Sequence, residues 1–175
     1  SLETTNALAN AKDLIGVILR IHFCLEDFLN VWCNKTTGCE DFFDFGKSDR
    51  CTYGMKVSIA EKLGLPCELA AVFKQLNSIR NKFSHNTNTT ISDQDINDIR
   101  HAVDRITTYG KDQLPKMNDP IWVSTVGERY ISWNMPNVSS IDRLILIYMA
   151  FRIKAINVYG KKLGEKGIPF YFSKP

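Results

Sequence analysis

The sequence predicts an all-α protein: an antiparallel up-down helical bundle with a small β-hairpin inserted before a fifth helix. Three observations predict it. Apolar residues recur every three or four positions in five separate stretches, the period of a helix with one buried face. The early stretches are joined by short segments that place glycine, proline or serine where helices stop and start. A length of 175 residues with 44% hydrophobic content is enough for one domain with a real core. Within the single domain 1–175 we distinguish a four-helix core (6–114), a hairpin and loop insertion (115–139) and a C-terminal helix (140–166).

The first helix is expected from about Asn6 to Lys35, with Leu14, Val17, Ile18, Ile21, Leu25, Phe28, Val31 and Trp32 as its stripe. Ile15, Leu19, Phe23 and Leu29 make its other side apolar too, so it is expected to be covered on more than one side, by the bundle and by a second subunit. Residues 36–50 read as a loop between Gly38 and Gly46, with Glu40, Asp41, Asp44 and Asp49 set among Phe42, Phe43 and Phe45. Those carboxylates lack the alternating frame of a calcium loop, so the phenylalanines are read as pins that hold an acidic loop on the bundle.

A second helix spans about Thr52 to Leu63 and stops at Gly64; Pro66 opens a third, whose stripe is Leu69, Val72, Phe73, Leu76, Ile79 and Phe83. Ser92 with Asp95 imitates a capping arrangement, and Ile96, Ile99, Val103 and Ile106 carry a fourth helix to about Leu114. From Ile121 to Trp133 the pattern changes. Two alternating runs flank Gly127-Glu128, the signature of a hairpin on a two-residue turn. The fifth helix follows from Ser140 to about Leu163, and Gly164 and Gly167 end it.

Composition excludes several classes. The net charge of +3 is too mild to demonstrate nucleic-acid binding, although the end of the chain from Arg152 onward carries six Lys/Arg against Glu165 alone. Five cysteines, odd in number and without a Cys-x-x-Cys pair, read as reduced thiols of a cytoplasmic protein. A zinc site built from Cys33, Cys39 and Cys51 would match no common ligand spacing. No signal-peptide pattern opens the chain, and the longest apolar run, Leu144 to Phe151, is far short of the roughly 20 residues of a membrane helix. No hydrolase elbow, phosphate loop, dinucleotide fingerprint or zinc-protease helix is present.

The chemistry gathers at the end of the third helix, in Leu76-Asn77-Ser78-Ile79-Arg80-Asn81-Lys82-Phe83-Ser84-His85. At about 100° per residue Arg80 is expected in the middle of the apolar stripe. A core-facing arginine needs an anion, because an unpaired buried charge costs several kcal/mol or more, and Glu26 on the first helix is the natural partner. His85 lies about 140° round the wheel from Arg80, so one straight helix cannot aim both at the same atom. The structural reading of these residues is a buried Glu26–Arg80 ion pair, with His85 satisfying carbonyls at a helix C-terminus and His22 a satisfied histidine one turn from Glu26.

Arg80-Asn81 with His85, preceded by Leu76-x-x-Ile79, resembles the Arg-x4-His motif of the HEPN superfamily, and the helix order over residues 8–110 is most similar to the mannitol operon repressor branch. The resemblance implies a metal-independent endoribonuclease, acting on RNA as a toxin or defence component and leaving a 2′,3′-cyclic phosphate. His85 would be general base or acid, Arg80 would stabilise the phosphate and Asn81 would orient it, with Glu26 and Ser84 in support. It calls for no cofactor and no metal, and it places the cleft where two motif helices meet in a homodimer, which removes the one-helix geometry problem. Lys82, Trp122, Arg129, Tyr130 and Trp133 are candidate RNA contacts, the aromatics by stacking on bases. The competing reading is a non-catalytic, repressor-like module that binds a protein or small-molecule partner; an antitoxin or regulatory partner fits either reading.

Overall fold

The computed structural model describes residues 13–44, 46, 51–85, 90–110, 113–119, 123–126 and 129–170. Within them the chain is an all-α bundle with one small hairpin. Its elements are α1 (Leu14–Thr37), α2 (Tyr53–Lys62), α3 (Cys67–His85), α4 (Asp93–Asp104), β1 (Val123–Val126), β2 (Arg129–Ser132) and α5 (Ser140–Glu165). The single helix expected from Asn6 does not run through Asp13, whose extended backbone (φ −117°, ψ 142°) makes it the N-cap of α1; residues 6–12 lie outside the described residues.

Helix boundaries follow local chemistry. Asp13 caps α1 by accepting the Gly16 N–H, and Gly38 closes it at φ 74°, a left-handed value that a side chain disfavours. Thr52 caps α2 through Met55. The chain then reverses at Gly64 (φ 87°), where the Leu65 N–H donates to Ala60 O at 2.9 Å. Ser92 and Asp95 form a reciprocal capping box on α4, and Ser139 caps α5 through the Asp142 N–H. Two of the three phenylalanines expected to pin the loop after α1, Phe42 and Phe43, are partly buried against the core and meet edge to face at 5.0 Å; Phe45 lies outside the described residues.

α4 ends ten residues before the Leu114 expected from its pattern. The backbone groups of the following segment find tertiary partners instead of helical ones. Asn157 on α5 accepts from the Tyr109 N–H (2.7 Å) and donates to Tyr109 O (2.8 Å). Thr108 Oγ1 accepts the Leu114 N–H, and Asp104 accepts the Met117 N–H at 2.8 Å. A side-chain amide that satisfies both backbone polar groups of one residue stands in for the bonds a further helical turn would supply there.

α1 packs against α2, α3 and α5; α4 lies between α3 and α5; the hairpin rests on α5. The core centres on aromatic rings. Phe28 meets Phe151 and Tyr159 edge to face at 5.7 and 5.8 Å, Phe73 meets Phe151 at 5.4 Å, and Trp32 meets Tyr159 at 5.0 Å. The Tyr159 hydroxyl donates to Phe28 O at 2.9 Å, which ties α5 to α1 at the centre. β1 and β2 pair antiparallel with Val126 opposite Arg129 and Val123 opposite Ser132, the register that a two-residue turn at 127–128 sets. Among the described residues no helix is long and apolar enough to cross a membrane.

Candidate functional site

α3 carries its stripe as expected: Leu69, Val72, Phe73, Leu76, Ile79 and Phe83 are all buried. Arg80 differs. It is half-buried, beside the exposed Ser78, Asn81 and Lys82, so it stands at the rim of the stripe and not in the core. Its Nη1 donates to Asn81 Oδ1 at 3.1 Å. With the amide oxygen taken, the Asn81 –NH2 group remains as a donor on an exposed residue.

Glu26 is not the partner of Arg80 that the sequence led us to expect. Its carboxylate bonds Lys56 Nζ of α2 at 2.8 Å. The same ammonium donates to Asn30 Oδ1 at 3.2 Å and lies 4.8 Å from the Phe43 ring centre. The reason is placement: α2 packs on α1 beside Glu26, and a half-exposed Arg80 does not require a core carboxylate.

Glu26 and Arg80 instead flank His22 from two helices. The His22 ring is 7% exposed. It stacks on Tyr53 at 4.2 Å and meets Asn77 Oδ1 through Nε2 at 3.4 Å. Burial lowers its pKa from the ordinary value; the Asn77 hydrogen bond opposes this, the Arg80 charge lowers it further and Glu26 raises it. The imidazole is therefore neutral near pH 7, next to a permanent cation. Burial, with the Glu26 charge, also pushes the Tyr53 phenol up, so it stays protonated.

The other expected residues are more dispersed. Ser84 and His85 are the last two residues of α3, and their side chains lie outside the described residues. Lys82 bonds Asp95 at 2.6 Å and holds that carboxyl below its usual range. The pair joins the end of α3 to the start of α4. Trp122 and the Arg129 side chain are outside the described residues. Tyr130 is 61% exposed on β2. Trp133 is half-buried on its own domain, with the Arg100 guanidinium 5.2 Å and that of Arg143 5.7 Å from the ring centre.

Lys56, Tyr53 and Asn77 were missed by sequence reasoning. Half of the signal was available, since His22 with Glu26 and Asn77 with Arg80 are each one helical turn apart. Among the described residues no group of three or more His, Cys, Asp or Glu side chains is placed to hold a metal ion. Compared with protein-family models, curated proteins and solved structures, the chain matches none of them significantly.

Proposed function

We propose that the chain is a metal-independent endoribonuclease of the HEPN type, cytoplasmic, acting as a homodimer through the motif-helix region, in a toxin or defence role. The reading rests on the Arg80–Asn81 pair: a cation and an amide joined at 3.1 Å on the rim of α3, five residues before His85 at the helix end. In the reaction the ribose 2′-oxygen attacks phosphorus and loses its proton to a base. The bond to the 5′-oxygen breaks, that oxygen is protonated, and a 2′,3′-cyclic phosphate forms. Arg80 and the Asn81 amide would stabilise the charge on the phosphate oxygens, and His85, with its copy in the second subunit, would carry the protons.

The test is cleavage of single-stranded and transfer RNAs in EDTA by wild type, His85→Ala and Arg80→Ala from parallel preparations. A positioned acid or base contributes about 10²- to 10⁴-fold, so both variants should lose cleavage by that order while remaining folded. A folded, dimeric wild type, free of any bound inhibitor, that leaves the whole panel intact would overturn the proposal in favour of a regulatory module.

A further inference from the structure

The C-terminal half of α4 and the segment after it form a cleft of about 410 Å³ lined by Arg100, His101, Asp104, Arg105, Lys116 and Asn118. It is separate from Arg80. Arg105 lies ten residues, about 15 Å of helix rise, beyond Asp95, where Lys82 of α3 attaches.

Three cations and one carboxylate line this cleft, and the carboxylate is already engaged. Asp104 Oδ1 accepts the Met117 N–H at 2.8 Å and lies 3.9 Å from Lys154 Nζ, whose side chain is 1% exposed. Arg105 and Lys116 are exposed and make no ion pair among the described residues. Arg100 is held in place over Trp133, and its Nη2 donates to His101 Nε2 at 2.7 Å. That bond leaves the imidazole proton on Nδ1.

Cations near a helix C-terminus commonly serve the terminal carbonyls. Here that role is taken from inside, because Lys154 Nζ donates to Val103 O at 3.1 Å and the Arg105 N–H donates to His101 O at 3.1 Å. Helix-end electrostatics also do not account for Lys116, which lies outside the helix on the far side of the cleft's loop. Among the described residues no hydrogen bond takes the Arg105 guanidinium, the Lys116 ammonium or the Asn118 amide, so what remains is a concave, positively charged surface with donors to offer, within the size range of small-ligand sites.

We propose that this cleft is a phosphate-binding site, its ligand a phosphate group carried by a free nucleotide or by the backbone of a nucleic-acid strand. Arg105 and Lys116 supply the main charge and Asn118 an additional donor. The site does not depend on the Arg80–His85 chemistry and would hold for a regulatory module as well.

The test uses two probes at low salt: adenosine monophosphate by calorimetry, and a short fluorescein-labelled oligodeoxyuridylate by anisotropy. The second lacks the 2′-hydroxyl, so cleavage cannot confuse it. Arg105→Gln/Lys116→Gln should weaken binding by about tenfold or more and lower the slope of log K against log salt by about 1.4, at about 0.7 per single-strand phosphate contact. Lys35→Gln/Lys62→Gln removes the same charge from exposed positions on α1 and α2 and should leave affinity within about twofold. Binding of the monophosphate assigns the site to free nucleotides; binding of the oligonucleotide alone assigns it to the backbone. The single variants, each expected to lower the slope by about 0.7, keep the test decisive if the double variant unfolds. No binding of either probe to wild type, or equal loss in both double variants, would overturn the proposal.

Discussion

Glu26 and Lys56 form an ion pair whose energetic contribution depends on burial more than on bond length. The bond is 2.8 Å, with the Lys56 side chain 11% exposed. The Lys74–Glu61 bond is equally short at 2.7 Å, but that lysine is 56% exposed. Removing one partner of a fully buried pair costs about 3–5 kcal/mol, whereas an exposed pair contributes about 0–1 kcal/mol. Lys56 keeps Asn30 and the face of Phe43 when Glu26 is removed, so we expect Glu26→Ala to cost about 2 kcal/mol and Glu26→Gln, which still offers an acceptor, about 1 kcal/mol. Lys56→Met preserves the stem of the side chain and removes the charge. The coupling between Glu26→Gln and Lys56→Met, measured as a double-mutant cycle in urea at constant m-value, should exceed about 1 kcal/mol. The Glu61–Lys74 cycle should give less than half of that. A Glu26–Lys56 coupling no larger than the exposed pair's, or smaller than one measured between Glu26 and Arg80, would refute the reasoning.

Two other outcomes follow from the packing. With the His22 pKa lowered in the folded chain and near 6.5 when unfolded, the unfolded state binds the proton first as pH falls below about 6.5. Folded stability should therefore rise with pH across the interval between the two values, the His22 contribution being fully present above about 6.5 and absent, with no further slope, below the folded value. His22→Gln should flatten this part of the pH profile of the urea midpoint; a profile identical to wild type would show that His22 does not contribute. Tyr159→Phe should cost about 1 kcal/mol, because it removes the hydroxyl bonded to Phe28 O but retains the ring contacts with Trp32 and Phe28. Unchanged thermal and urea midpoints would show that this buried bond is energetically silent.

Much of the secondary structure was legible because its determinants are local. The Ser92–Asp95 box, the stop at Gly64 and the pairing of Val126 with Arg129 each involve residues within a few positions of one another, and each falls at the expected place. The over-extended fourth helix shows where this reading runs out. Ile99, Val103 and Ile106 carry the helical period toward Leu114, but the groups that hold the Tyr109 backbone come from Asn157, 48 positions away. Trp133 is similar. Its aromatic character was evident, but the arginines beside it come from α4 and α5, and only their meeting places them there.

The motif helix shows the same division most clearly. By itself the sequence determined that α3 exists, which apolar residues it buries, and that Arg80, Asn81 and His85 fall in its last turns, because helical periodicity turns residue order directly into faces; that Arg80 stands at the rim and not in the core it did not determine. Only the tertiary structure decided that Glu26 bonds Lys56 and that His22 stands between Tyr53, Asn77 and the charge of Arg80. It also decided that Arg100, Arg105 and Lys116 share one cleft. A carboxylate can pair with any cation within about 4 Å. Which cation arrives depends on the angle and register at which helices distant in sequence pack, and those are set by the fit of the whole core.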